Sequence, residues 1–359
     1  MSEERDRVLA ILRGGARPAD RPGSPAARAE AAPRRSSAGP PLLLAPMATI
    51  THAGFRALVD EFGGSDLLWS EMISAEALVN GTPYESYYLN EAPDPDRLIF
   101  QLVGYREGPI VLATERLAQT AAAGLDLNLG CSAPHIVRKG GGIAWTRDVD
   151  RTARLVERMR RAAVGKSLSV KLRLGASDDP DELVRLARAL EEAGADFLTL
   201  HPKRQKEGPA RRARWSYVRL LRDELAIPVV GSGGLTGYDA LEARLREGGD
   251  GPVMIGRAAV RAPWIFAYLR ERLSGNATEL RVDLRSTGER FLELLERFQP
   301  GDFHHSRARR VLPYLLSNVK FGHAISARVA QSDSYETARR LFTGYLDEHP
   351  DAALHVERG

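Results

Sequence analysis

From Leu42 onward the chain alternates short apolar runs with longer amphipathic stretches, and it does so eight times. The apolar runs lie at 42–45, 66–69, 98–102, 125–129, 168–173, 196–200, 227–231 and 252–255, and they read as strands. Helical spacing fills the gaps, near 53–63, 75–80, 109–123, 149–163, 181–193, 215–224, 236–247 and 262–272. Gly124 and Gly194 stand where helix stops belong. Eight such repeats in about 230 residues suit a closed parallel barrel. A doubly wound open sheet competes, but the repeat count and the lack of an early GxGxxG disfavour it. The expected fold class is α/β, a (β/α)8 TIM barrel over 41–274.

The two flanks differ from this rhythm. Residues 1–40 are rich in Ala, Arg and Pro, and read as a disordered N-terminal tail with a short helix over 5–13. After residue 275 the strand signals end. A linker is expected over 275–284, then helices at 286–298, 306–323 and 334–348, making 275–359 a small all-helical domain. No run of about 18 apolar residues is present, so no membrane span is expected. The first residues lack the apolar core of a signal peptide, which points to the cytoplasm. The single cysteine excludes a disulfide framework and a Cys-only metal site, and no metal is expected. The net charge of +4 permits a nucleic-acid partner without requiring one.

In a barrel enzyme the chemistry sits at the carboxyl ends of the strands. Here those ends carry Pro46-Met47-Ala48, Glu71-Met72, Gln101, Asn128 with Cys131 beyond it, Lys171 and Arg173, His201, Ser232-Gly233-Gly234, and Gly256-Arg257. Polar groups converging from so many ends are what a ligand site requires. Lys171 and Arg173 share one strand face, so they are either paired internally, with Glu71 as partner, or set beside an electron-rich ligand such as a flavin. The glycine turns after strands 7 and 8 suit a phosphate, with Arg257 adding charge. Cys131 follows Gly130 in a long loop that continues to Gly140-Gly141-Gly142. It could serve as a nucleophile with His135 as base, or as a general acid; spacing does not choose. His201 divides evenly between a core role and ligand contact. Segment 203–214 holds six basic residues and one acid, and with Arg138-Lys139 and 307–310 it favours a polyanionic substrate.

Taken in order, these pieces resemble the tRNA-dihydrouridine synthases. The resemblance rests on APM (45–47), FR (55–56), EM (71–72), QLVG (101–104), LNLGC (127–131), GGGIAW (140–145), VKLRLG (170–175), His201 with Trp215, GSGG (231–234) and IGRAAVRAPWIF (255–266). It covers 42–272 well and the helical region more loosely. It implies an FMN-dependent barrel enzyme, reduced by NADPH, acting on tRNA, with a helical RNA-binding domain. It implies that Pro46, Met47 and Ala48 pack against the flavin and that Gln101 and Lys171 meet its ring edge. His201, Ser232, Gly233, Gly234, Gly256 and Arg257 are implied to hold its phosphate end. Asn128 is implied beside the target uracil, with Arg173, Lys203 and Arg204 also on the substrate side, and Cys131 is implied to be the general acid. A monomer is expected. Ser132 stands where the family usually has proline, and 203–215 lacks the family's usual tyrosine, glycine and aspartate. A small-molecule FMN reductase and a non-catalytic RNA-binding relative are the alternatives.

Overall fold

The computed structural model describes residues 3–15, 39–208, 211–275 and 279–357. Eight parallel strands close into a barrel in sequential order: β1 Leu42–Leu44, β2 Leu67–Ser74, β3 Leu98–Val103, β4 Gly124–Leu129, β5 Ser167–Arg173, β6 Phe197–His201, β7 Val229–Ser232 and β8 Val253–Ile255. β1 pairs with β8 to complete the ring. The strands are apolar nearly throughout because helices cover their outer face while the barrel fills the inner one. Along β4, Leu125, Leu127 and Leu129 join the outer core, whereas Asp126 and Asn128 alternate to the inside.

Gly194 follows its helix with a φ of 95°, as a helix stop should. Gly124 does not stop a helix. It begins β4, where a Cβ would lie 1.9 Å from the Ser167 hydroxyl, and the preceding helix already ends at Ala118.

The barrel interior has two layers. The lower one is apolar: Leu43, Leu67, Trp69, Ile99, Phe197, Val230 and Met254 form one cluster. Val8, Ile11 and Leu12 of the helix Glu3–Leu12 complete that cluster and are buried. The short helix expected over 5–13 is present as Glu3–Leu12, but it is docked on the barrel and is not part of the disordered tail expected over 1–40. Its apolar stripe finds a partner in the barrel floor, and ion pairs fix it at Arg5–Asp196 (2.5 Å), Arg7–Asp96 (2.9 Å) and Glu4–Lys166 (3.8 Å). Residues 16–38, the rest of that expected tail, lie outside the described residues apart from 39–40.

Beyond the barrel come the helices Leu284–Phe298, Gly301–Leu316, His323–Ala330 and Tyr335–Glu348, packed around Phe291, Leu295, Leu312 and Phe342. The region is not all helical. β9 Leu280–Asp283, within the stretch expected to be a linker, pairs antiparallel with β10 Leu354–Glu357. Neither strand has enough apolar residues to announce itself; each exists because the other supplies its hydrogen bonds.

Candidate active site

The upper layer of the interior is polar, and strand register sets its neighbours. Gln101 lies opposite Asp126, Asn128 opposite Lys171, Lys171 opposite Thr199, and Arg173 opposite His201. A hydrogen-bonded chain runs through this layer. Ser169 Oγ donates to Asp126 Oδ1 at 2.7 Å, and Gln101 Nε2 donates to Asp126 Oδ2 at 2.6 Å. Asn128 Nδ2 donates to Gln101 Oε1 at 2.8 Å. Asn128 Oδ1 then accepts from the Gly130 and Cys131 amides at 3.0 and 2.8 Å. Because a carboxylate can only accept, Asp126 dictates which way both amide side chains face. The chain ends on the backbone of Cys131.

Cys131 is half-buried and reduced. The loop that follows folds back over it. Ile143 N donates to Cys131 O at 3.0 Å, and Gly142, at φ 56°, has no room for a Cβ, which would sit 2.4 Å from Cys131 O. Trp145 Nε1 donates to Gly104 O at 3.0 Å, tying this loop to the end of β3. His135 is exposed on the short helix Pro134–Arg138, and among the described residues no hydrogen bond joins it to Cys131. The contact between Cys131 and His135 that a nucleophile–base pair needs is thus not formed.

Cations gather on the β5, β6 and β8 side. Burial pushes the Lys171 ammonium down from 10.5 to about 8; Asp126 pulls it up and Arg173 pushes it further down. Burial also lowers Arg173, which Cys131 opposes and Arg257 reinforces. His201 falls to about 2, through burial first and then through Lys171, Arg173, Lys203 and Arg257. The imidazole is therefore neutral within a field of cations. Burial raises the Asp126 carboxyl, while Gln101, Ser169 and Lys171 pull it down.

The turn after β7 is built by Trp215. Its Nε1 donates to Gly233 O at 2.9 Å, and its ring fills the space where a Gly231 Cβ would stand, 2.2 Å from Cζ3. Gly233 takes φ 107°, and a Cβ there would press to 2.5 Å from the His201 ring. Gly233 thus lies beside His201, while a Cβ on Gly234 would stand 3.3 Å from the Arg244 guanidinium. Across the mouth, Gly256 approaches Met47, whose sulfur would be 3.6 Å from a Gly256 Cβ. Pro46 and Met47 are partly exposed and Ala48 is exposed, at the rim.

Glu71 does not pair with Lys171 or Arg173. The ladder between β2 and β3 shifts register between Trp69 and Met72, and this bulge re-aims Glu71. Its carboxylate meets Arg307 of the C-terminal helices at 3.0 and 3.2 Å and accepts from Thr49 N at 2.9 Å. The basic segment 203–214 is also less open than its composition suggests. Glu207 binds Arg204 (3.2 Å) and Arg214, and lies 3.9 Å from Arg211; Arg212 pairs with Glu247 at 2.8 Å. Lys203 is buried with its Nζ donating to Gly208 O at 3.2 Å. Arg307, expected among the basic residues 307–310 that face a polyanion, is instead buried on Glu71. Sequence reasoning missed Asp126, which had a signal, as a carboxylate inside a parallel strand.

Residues 43–335 match the model of a protein family described as dihydrouridine synthase. The chain belongs to that family. A probable tRNA-dihydrouridine synthase of Helicobacter pylori is 32% identical over 250 residues, 68% of this chain and 74% of that protein. One from Rhodobacter capsulatus is 31% identical, over 66% of this chain and 73% of its own. One from Rhizobium leguminosarum is 29% identical over 307 residues, 84% of this chain and 94% of that protein, so the likeness extends into the C-terminal helices. The family is one of oxidoreductases. Among the described residues no helix is long and apolar enough to cross a membrane, and no cluster of potential metal ligands occurs.

Proposed function

We propose that this chain reduces uridine to 5,6-dihydrouridine in tRNA, with FMN as bound cofactor and NADPH as reductant. The observation that carries the reading is the half-buried Cys131, held through Asn128 and Gln101, with a cluster of cations gathered around His201 from half-buried Lys171 and Arg173, buried Lys203 and exposed Arg257. That cluster supports an anionic ligand: four positive groups surround a neutral His201, and their mutual repulsion falls when a phosphate or an electron-rich ring enters. FMN has both.

When bound, the reduced flavin would supply hydride chemistry toward C6 of the uracil. Lys171 would hold the electron-rich ring edge, and the second N–H of Gln101, which Asp126 leaves over, would meet the same edge. Pro46, Met47 and Ala48 would lie on the ring face. His201, the Ser232-Gly233-Gly234 turn, Gly256 and Arg257 would take the phosphate. The uracil C5=C6 bond is conjugated to a carbonyl, so adding a hydride at C6 leaves charge toward C5. Cys131 gives its thiol proton to C5, and the thiolate left behind lies near Arg173, whose charged form a Cys131 thiolate favours. Asn128 fixes the Cys131 backbone and so the angle from which the proton comes. The target base must leave its stack to reach this depth. Arg173, Lys203 and Arg204 stand on the substrate side of the mouth. The site of action is the cytoplasm, with the tRNA.

Mapping of dihydrouridine in RNA from a deletion strain tests the reading. Loss at defined tRNA positions is expected. Normal dihydrouridine at every site, or rapid NADPH turnover on a small enone with no need for RNA, would overturn it.

A further inference from the structure

The turn between the helices Gly301–Leu316 and His323–Ala330 carries Phe321, which the chemistry above does not use. It is 77% exposed, the highest value among the large apolar side chains described. Its φ is 63°; among the described residues only one other non-glycine, Thr49, has a positive φ. A bulky side chain in left-handed backbone is strained, and a ring in water returns nothing to the fold. The turn is nonetheless tightly held. Gly322 N donates to Val319 O at 3.0 Å, and a Cβ on Gly322 would meet Leu316 O at 2.5 Å.

This turn is docked on the rim of the barrel. Asn318 Nδ2 donates to Arg261 O at 2.7 Å, and Arg261 Nε donates to Asn318 Oδ1 at 2.9 Å. Arg261 closes the short helix Arg257–Arg261 that leaves the end of β8. Three residues of chain, at most about 11 Å, separate Asn318 from Phe321. The strip between them is cationic. Arg261 is exposed, and Lys320 Nζ lies 5.3 Å from the Phe321 ring centre. Neither cation is in an ion pair among the described residues.

We propose that Phe321 is a stacking platform for an unpaired nucleobase of the RNA substrate, near the uridine that enters the barrel. The inference rests on the reading of the chain as a tRNA-uridine reductase. Extracting the target base deprives its neighbours of a stacking partner. An aromatic face set beside phosphate-binding cations restores one without regard to base identity. Charge alone would need no ring, and an apolar protein partner would not be matched by flanking cations.

The native tryptophans Trp69, Trp145, Trp215 and Trp264 are all buried, so Phe321→Trp adds an exposed fluorophore at the point in question. Titration of that variant with an unmodified tRNA transcript should quench its added emission, saturating where a gel shift shows binding. Phe321→Ala should weaken tRNA binding about tenfold and raise KM with kcat unchanged, while Phe321→Trp restores both. Binding of tRNA without quenching, equal quenching by heparin, or wild-type affinity in Phe321→Ala would overturn the proposal. The quenching and gel-shift readouts need binding alone, so a protein that binds tRNA with quenching but forms no dihydrouridine would refute the proposed reaction and leave the stacking site standing.

Discussion

Arg307 and Glu71 stand 236 positions apart in the sequence, yet their side chains form a two-pronged ion pair that is almost wholly buried. The same carboxylate accepts the Thr49 amide, in a residue held at φ 63° just after Pro46-Met47-Ala48. One contact thus ties the C-terminal helices to the rim loop of β1.

Removing either partner leaves a buried charge without its counterpart. Arg307→Ala or Glu71→Ala should lower unfolding stability by about 3–5 kcal/mol. Chemical denaturation checks the figure. A loss below about 1 kcal/mol would mean the pair behaves like a surface bridge.

Cys131→Ala should retain NADPH oxidation by the bound flavin and lose dihydrouridine formation by about 10²–10⁴-fold, the usual range for a positioned acid. Stopped-flow flavin reduction and mass-spectrometric yield separate the two. Unchanged yield would remove Cys131 as the proton donor.

Gln101→Leu breaks the chain from Asp126 to Cys131 at its middle. Asp126 loses a donor and Asn128 an acceptor, a cost of about 1–3 kcal/mol for the unsatisfied groups. Faster hydrogen exchange at the Gly130 and Cys131 amides is the specific sign, since Asn128 holds both.

Two groups with lowered pKa values make stability rise with pH in two separate windows. Lys171 releases its proton near pH 8 in the folded chain but near 10.5 when unfolded. The unfolded state therefore binds more protons between those values, and this group makes stability rise with pH there. FMN affinity should fall in the same window as the cation disappears, and Lys171→Met should flatten that fall. His201 stays neutral down to about pH 2 while the unfolded residue protonates below 6.5, so its contribution is lost as pH drops from 6.5. His201→Gln should remove that acid limb, as thermal melts across pH would show.

Deleting residues 1–15 uncovers the apolar floor beneath Val8, Ile11 and Leu12. Each buried side chain of that kind is worth about 1.5–3 kcal/mol, so a clear drop in Tm is expected. The mouth is at the opposite end, and tRNA binding by the surviving folded fraction should be unchanged.

The barrel was legible in the sequence because the outward face of each parallel strand stays apolar under its helices, as with Leu98, Phe100 and Leu102 in β3 and Leu168, Val170 and Leu172 in β5. The inward polar residues were legible for the complementary reason: Lys171 in such a strand has no ordinary explanation. What escaped depends on distant partners. Val8 and Ile11 look like tail until the barrel floor is present, and Leu280–Asp283 looks like linker until Leu354–Glu357 pairs with it. The arginines of 203–214 look like open positive surface until Glu207 and Glu247 take them. Glu71 has a credible partner in Lys171 until the bulge in β2 turns it toward Arg307.

The account turns on uridine reduction, and one assay reaches it directly: quantification of dihydrouridine by mass spectrometry in an unmodified tRNA transcript incubated with the purified protein, FMN and NADPH. The account predicts conversion of defined uridines, dependent on NADPH and nearly abolished in Cys131→Ala. A flavin-loaded protein that binds the transcript, oxidises NADPH and leaves every uridine intact would contradict it.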